Sequence, residues 1–191
     1  MTTANKITIL RILLVPFFVV QVIYYEDGGE EIHRWLAVVS FALAAISDGV
    51  DGYLARRYNQ RSELGAVLDP LADKLLLVSG ILVLSFSNQF LPKLPVWLTA
   101  TVLSRDLMIL LGFVIIHVMG GKVIVHPRVL GKIATVMQMT TVMWALLKWD
   151  AAWLGVWVWG ATVFTALSGG LYIYDGVQHL NANPASAPVK R

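Results

Sequence analysis

Apolar residues run along this chain in blocks of about 20, long enough for a helix to cross a bilayer, and polar residues collect between the blocks. Six such blocks are read, at roughly residues 6 to 25, 34 to 57, 67 to 87, 94 to 119, 129 to 149 and 152 to 176. Only helices or closed barrels satisfy a backbone surrounded by lipid, so blocks of this length predict an all-α fold. The expected architecture is a polytopic membrane bundle of six transmembrane helices. The connections are short: Glu26 to His33, Asn88 to Lys93, Gly120 to Arg128 and a turn at Asp150. They leave no room for a separate soluble domain, so residues 1–180 read as one membrane domain. Residues 181–191, with Pro184, Pro188 and small neighbours, read as a disordered tail. The first block is too long, and its Arg11 too deep, for a signal peptide, so it counts as a span.

Composition agrees with a membrane chain. Of 191 residues, 57% are hydrophobic and 14% charged, and the mean hydropathy is +0.68, outside the usual balance of a soluble domain. Cysteine is absent, which removes disulfides, thiolate metal sites and thiol catalysis and leaves carboxylates, bases and hydroxyls for any chemistry. The net charge of +3 does not point to nucleic acid, because the basic residues are scattered between apolar blocks. They set topology instead. With both termini in the cytoplasm, Arg34, Lys93 and Lys148 fall outside and Arg105 within a span, while the remaining Lys and Arg residues fall inside. The acidic stretch Glu26, Asp27, Glu30 and Glu31 then lies outside, and the connection between the second and third spans lies at the cytoplasmic face.

Polar residues within the blocks carry the chemistry. Asp48 and Asp51 close the second block, and Asp69 and Asp73 open the third. Four uncompensated intramembrane carboxylates would cost on the order of 10 to 14 kcal/mol, as much as the whole stability of a typical domain. A cation must offset them. At about 100° per residue, Asp48, Asp51, Gly52 and Ala55 share one helical stripe, and Asp69 and Asp73 stand one turn apart. Gly65 joins that second stripe only if the helix already runs there, which Pro70 opposes. Hard oxygen ligands without His or Cys favour Mg²⁺, Mn²⁺ or Ca²⁺ over zinc. Arg56 beside them suits a phosphate oxygen, and the small residues let a ligand approach the backbone. A metal-bound diphosphate fits this set, with one aspartate available as the base that accepts a hydroxyl proton.

The run Asp48-x2-Asp51-Gly52-x2-Ala55-Arg56-x8-Gly65-x3-Asp69-x3-Asp73 resembles the full signature of the CDP-alcohol phosphotransferase (CDP-alcohol phosphatidyltransferase) family. The resemblance implies six transmembrane helices, an active site at the cytoplasmic face, a homodimer, and a CDP-linked donor, usually CDP-diacylglycerol, whose phosphatidyl group passes to an alcohol with release of CMP. It implies Mg²⁺ or Mn²⁺ on Asp48, Asp51 and Asp69. Asp73 is implied as general base and further metal contact, and Asp51, Gly52, Ala55, Arg56 and Gly65 as the surroundings of the CDP moiety. Asn5-x2-Thr8-x2-Arg11, Pro16-Phe17-Phe18, Ala55-Arg56-Arg57-Tyr58-Asn59-Gln60 and Asp69-Pro70-Leu71-Ala72-Asp73-Lys74 resemble the bacterial phosphatidylglycerophosphate synthase branch. That implies a bacterial inner membrane and glycerol 3-phosphate as acceptor. The fourth and fifth spans depart from this branch. No second Arg follows Arg105, and Gly131-Lys132-Ile133-Ala134-Thr135 replaces Gly-Lys-x-Lys-Thr. Ser104-Arg105-Asp106 also resembles the cardiolipin synthases of the family, which use phosphatidylglycerol. Arg105, Lys132 and Arg11 are the acceptor-binding candidates.

Other readings stand beside these. Arg105 and Asp106 are either an ion pair fixing the bundle or part of the acceptor site. Arg57 and Arg61 read as positive-inside anchors, and His33, His117, His126 and His179 as interfacial side chains. Trp144, Trp149, Trp153, Trp157 and Trp159 read as an aromatic belt. Gly120, Gly121, Gly169 and Gly170 read as turns or helix contacts, since no phosphate-loop spacing accompanies them. Membrane prenyl-diphosphate transferases also pair Asp-rich motifs with Mg²⁺, but they have more spans. A cation carrier using the carboxylates as a permeation site is the non-enzymatic rival.

Overall fold

In the computed structural model the description covers residues 3–58, 63–118 and 129–182, with side chains described for residues 8–47, 72, 74–112 and 129–174. The described residues form six helices: α1 (Thr3–Gly28), α2 (Glu31–Tyr58), α3 (Glu63–Phe86), α4 (Val96–Val118), α5 (Val129–Leu146) and α6 (Ala151–Ala182). The all-α expectation holds, and each helix covers one predicted block. Thr8–Gly28, Val129–Leu146 and Ala151–Tyr174 are long and apolar enough, by length and composition, to cross a membrane.

Two boundaries differ from expectation in ways that matter. First, α3 begins at Glu63, ahead of the start expected near residue 67, so Gly65, Asp69 and Asp73 lie on one continuous helix four residues apart and share a stripe. A proline in a helix removes one N–H bond, and a membrane helix tolerates this where neighbours satisfy the freed carbonyl. Pro16 inside α1 is a second case. Second, Asn181 and Ala182 continue α6, whereas residues 183–191 of the expected tail lie outside the described residues. The same holds for the whole Gly120 to Arg128 connection.

The core forms where α3 meets α1, α2, α4 and α5. Phe18 of α1 and Phe41 of α2 meet with ring centroids 5.4 Å apart, and both are buried together with Val22, Ala44, Leu76, Ile81, Leu84 and Val142. Gly80 sets the spacing between α3 and α5: a Cβ there would stand 3.1 Å from Val142 Cγ1. Polar side chains buried in this bundle pair across helices, as Gln138 Nε2 does in donating to Thr165 Oγ1 at 2.8 Å. Large apolar side chains such as Leu13, Ile46, Leu110, Val136 and Leu167 stand exposed on the outer surface, as a lipid-facing surface requires.

A network at the helix ends remote from the aspartates closes the bundle. Glu26, expected merely to carry negative charge outside, accepts four consecutive backbone N–H groups, from Asn88, Gln89, Phe90 and Leu91, at 3.0, 2.9, 3.2 and 2.7 Å. One carboxylate in the last turn of α1 thus fastens that helix to the α3–α4 connection. Nearby, Tyr25 and Arg34 both donate to Glu31, at 2.9 and 2.6 Å, and Lys148 Nζ donates to Tyr25 Oη at 3.1 Å. Arg34 first and Tyr25 second hold the Glu31 carboxyl below the usual carboxylate range. Asp150 caps α6 by accepting Ala152 N at 2.7 Å. Trp144 lies against Trp149, centroids 4.6 Å apart, and Trp157, 5.9 Å. Glu26→Gln retains the shape and removes the charge that four donors share. It is expected to destabilise the bundle by about 2 kcal/mol, read from thermal unfolding in detergent; an unchanged midpoint would contradict the fastening role.

Candidate functional site

Helix direction alternates along the chain, so the start of α1, the end of α2, the start of α3, the end of α4, the start of α5 and the end of α6 share one end of the bundle. The signature residues and Lys132 sit there, while Arg11 and Arg105 lie deeper, within α1 and α4. Asp48, Asp51, Gly52, Ala55 and Arg56 occupy the last three turns of α2, and Gly65, Asp69 and Asp73 the first three turns of α3, two helices in contact with each other. The side chains of these eight residues lie outside those described.

Arg11 of α1 is fully buried, and its Nε donates to Ser47 Oγ at 3.4 Å. Ser47 directly precedes Asp48 and anchors its own hydroxyl on the Ala44 carbonyl at 2.8 Å. A guanidinium wholly removed from water is costly unless anions or multiple acceptors surround it. Arg11 therefore belongs to the polar interior at the level of Asp48, a setting its reading as an inside-facing topology charge did not foresee. Thr8, one turn earlier, is also fully buried.

A second polar centre joins α3 to α4 and α6. Asp106 Oδ1 accepts Lys74 Nζ at 2.6 Å and Arg105 Nη1 at 2.8 Å, and Arg105 Nη2 donates to Ser168 Oγ at 3.2 Å. Arg105 Cζ lies 5.9 Å from the Tyr172 ring centroid. A Cβ on Gly131 would stand 3.1 Å from Arg105 Nη2, and one on Gly169 3.3 Å from Arg105 Cγ. Gly131 and Gly169 thus let the guanidinium lie against α5 and α6. Of the two readings of Arg105, the ion pair is realised, but it is not neutral: Lys74 adds a second cation to the one carboxylate. Among the described residues, Arg105 Nε and Asp106 Oδ2 are buried without a hydrogen-bond partner. The guanidinium and the carboxylate thus each keep one atom with unfilled hydrogen-bonding capacity.

The three acceptor candidates separate. Arg105 reaches α5 at Gly131, next to Lys132, whose side chain is exposed. Arg11 instead meets α2 at Ser47. Sequence reasoning missed the part of Lys74, Ser168 and Gly131. The available signal was arithmetic, since Arg105 and Asp106 inside an apolar block require neighbours able to share their charge.

Divalent metal fits what is described here. Four carboxylates stand on two touching helices, with no cysteine in the chain to favour a softer ion.

Comparison with known proteins agrees with this arrangement. Residues 1–167 match the sequence family described as CDP-alcohol phosphatidyltransferase. The chain is 34% identical to a "Cardiolipin synthase (CMP-forming)" of Streptomyces coelicolor, over 97% of this chain and 87% of the relative. It is 32% identical to a "CDP-diacylglycerol--glycerol-3-phosphate 3-phosphatidyltransferase" of Salmonella paratyphi A, over 92% of this chain and 91% of the relative. A Bacillus subtilis protein of that same name is 33% identical, over 88% and 91%.

Proposed function

Because this chain belongs to the CDP-alcohol phosphatidyltransferase family, we propose that it transfers the phosphatidyl group of CDP-diacylglycerol to glycerol 3-phosphate, releasing CMP and forming phosphatidylglycerophosphate. The observation that carries the reading is the start of α3 at Glu63. It puts Gly65, Asp69 and Asp73 on one stripe of a helix packed against the helix that bears Asp48, Asp51, Gly52, Ala55 and Arg56. The signature is then a spatial unit of two helix ends as well as a sequence pattern.

In this reading Asp48, Asp51 and Asp69 hold Mg²⁺ or Mn²⁺, with Asp73 as a further contact. Metal bound there would supply positive charge against the diphosphate. Gly52, Ala55 and Gly65 leave space for the nucleotide and Arg56 binds a diphosphate oxygen. Asp73 accepts the proton of the acceptor hydroxyl as its oxygen attacks the phosphorus bearing the diacylglycerol. The new P–O bond forms, the bond to the CMP oxygen breaks, and CMP leaves as a stable anion without needing a strong acid. All six helices span a bilayer, with termini and active site at the cytoplasmic face, as the bias of Lys and Arg supports. The family resemblance adds a homodimer.

A second acceptor, phosphatidylglycerol, is favoured by one observation. Arg105 is engaged by Asp106 and Ser168, and fewer unengaged cations suit a phosphodiester better than a free phosphate. The name of the Streptomyces relative supports the same acceptor. Purified protein reconstituted with CDP-diacylglycerol and offered each acceptor separately distinguishes them. The first reading expects phosphatidylglycerophosphate from glycerol 3-phosphate; cardiolipin from phosphatidylglycerol, with no product from glycerol 3-phosphate, would replace it by the second.

A further inference from the structure

Asp106 stands outside the aspartate signature, and the bonds it makes are unusual for a bundle ion pair. A single oxygen, Oδ1, receives cations from two helices: Lys74 of α3 at 2.6 Å and Arg105 of its own α4 at 2.8 Å. Through Arg105 the connection continues to Ser168 of α6 at 3.2 Å and passes against Gly131 of α5. Four helices thus meet around one carboxylate.

Exposure decides how much this matters. The side chains of Arg105 and Asp106 are 10% and 19% exposed, and that of Lys74 is 38%. A surface pair of this kind contributes little. Here the Arg105–Asp106 part is largely out of solvent, so losing the carboxylate leaves two like charges facing each other with weak screening. Fixing Arg105 alone would need only Asp106 and Ser168. Lys74 is the extra member, and it directly follows Asp73.

Successive residues on a helix differ by about 100° in azimuth, so pinning the side chain of one residue to a neighbouring helix fixes the direction of the residue before it. We propose that Asp106 is a positioning residue for phosphatidyl transfer: by holding Lys74 against α4 it sets the rotation of α3, and with it the azimuth of Asp73 and Asp69. The proposal rests on the phosphatidyl-transfer reading of the signature. It assigns to Asp106 no contact with substrate.

The test uses the full chain, purified in detergent, and measures kcat and both KM values together with the thermal unfolding midpoint. The variants are Asp106→Asn, Asp106→Glu, Lys74→Met and the double variant Asp106→Asn/Lys74→Met. A displaced base costs about 100-fold, so Asp106→Asn is expected to lower kcat by roughly 30- to 100-fold with both KM values within about threefold, the signature of a defect in the chemical step. Asp106→Glu, which keeps the charge, is expected to recover at least about tenfold of that loss. Since both single changes break the same Lys74–Asp106 bond, the double variant is expected to be no slower than Asp106→Asn alone. An unchanged kcat in Asp106→Asn overturns the proposal, as do losses that multiply in the double variant or a raised acceptor KM at constant kcat. If Asp106→Asn does not fold, the remaining pair decides: wild-type turnover in Lys74→Met refutes the role, and loss in Lys74→Met with retention in Asp106→Glu sustains it. Absence of CMP release from the unmodified chain would instead refute the transfer reading, and this proposal with it.

Discussion

Asp73→Asn is expected to lower kcat by about three orders of magnitude, within the range assigned to a positioned general base, while CDP binding persists. The substitution keeps the size and one acceptor oxygen and removes the proton-accepting charge. Asp48, Asp51 and Asp69 remain to hold the metal. Single-turnover CMP formation and equilibrium binding of CDP, measured on the same preparation, separate the two functions. If CDP binding vanishes together with turnover, Asp73 is principally a metal ligand and the base must be sought elsewhere. The reading assigns the proton to Asp73 on resemblance, and the course of α3 through Glu63 places it two turns beyond Gly65 on one stripe.

Arg11→Leu is expected to destabilise the protein by about 3 to 5 kcal/mol, the range for removing one partner from a buried charged set. Arg11 has no solvent exposure, and it is bonded to the residue before Asp48. Its loss removes a resident cation from the bundle end where four aspartates collect. Arg11→Lys is expected to recover only part of the stability, because an ammonium cannot reproduce the planar fork. Denaturation of the detergent-solubilised chain reads both variants. A raised acceptor KM at unchanged stability would return Arg11 to the acceptor-binding role the sequence suggested.

The helices were legible because each falls on an apolar block of the chain, and Thr8–Gly28, Val129–Leu146 and Ala151–Tyr174 are apolar over a length that crosses a bilayer. The aspartate signature was legible because its members lie within 26 residues, from Asp48 to Asp73, on two consecutive helices whose periodicity is fixed. The start of α3 was not. Pro70 costs a helix one bond locally, and only the surrounding bundle decides whether that cost is met. Glu26 was invisible for another reason. Its four donors lie at residues 88–91, and no local pattern announces that a carboxylate in the last turn of α1 will fit a turn of backbone so far along the chain. The Lys74–Asp106 bond spans 32 residues and is hidden similarly. Each partner had a sufficient explanation alone, Lys74 as an inside charge and Asp106 as the counterion of Arg105. Their meeting follows from the packing of α3 on α4, which periodicity does not specify.

The central claim is that the two aspartate-bearing helix ends activate a metal-bound CDP-lipid. Release of CMP from CDP-diacylglycerol by the purified chain, with acceptor present and Mg²⁺ or Mn²⁺ supplied and then removed by chelation, tests it most directly. The account predicts CMP release that requires both acceptor and divalent metal and stops on chelation. Divalent-cation flux through liposomes containing the chain but no CDP-lipid, with no CMP formed when that lipid is added, would contradict it and leave the carboxylates as a permeation site.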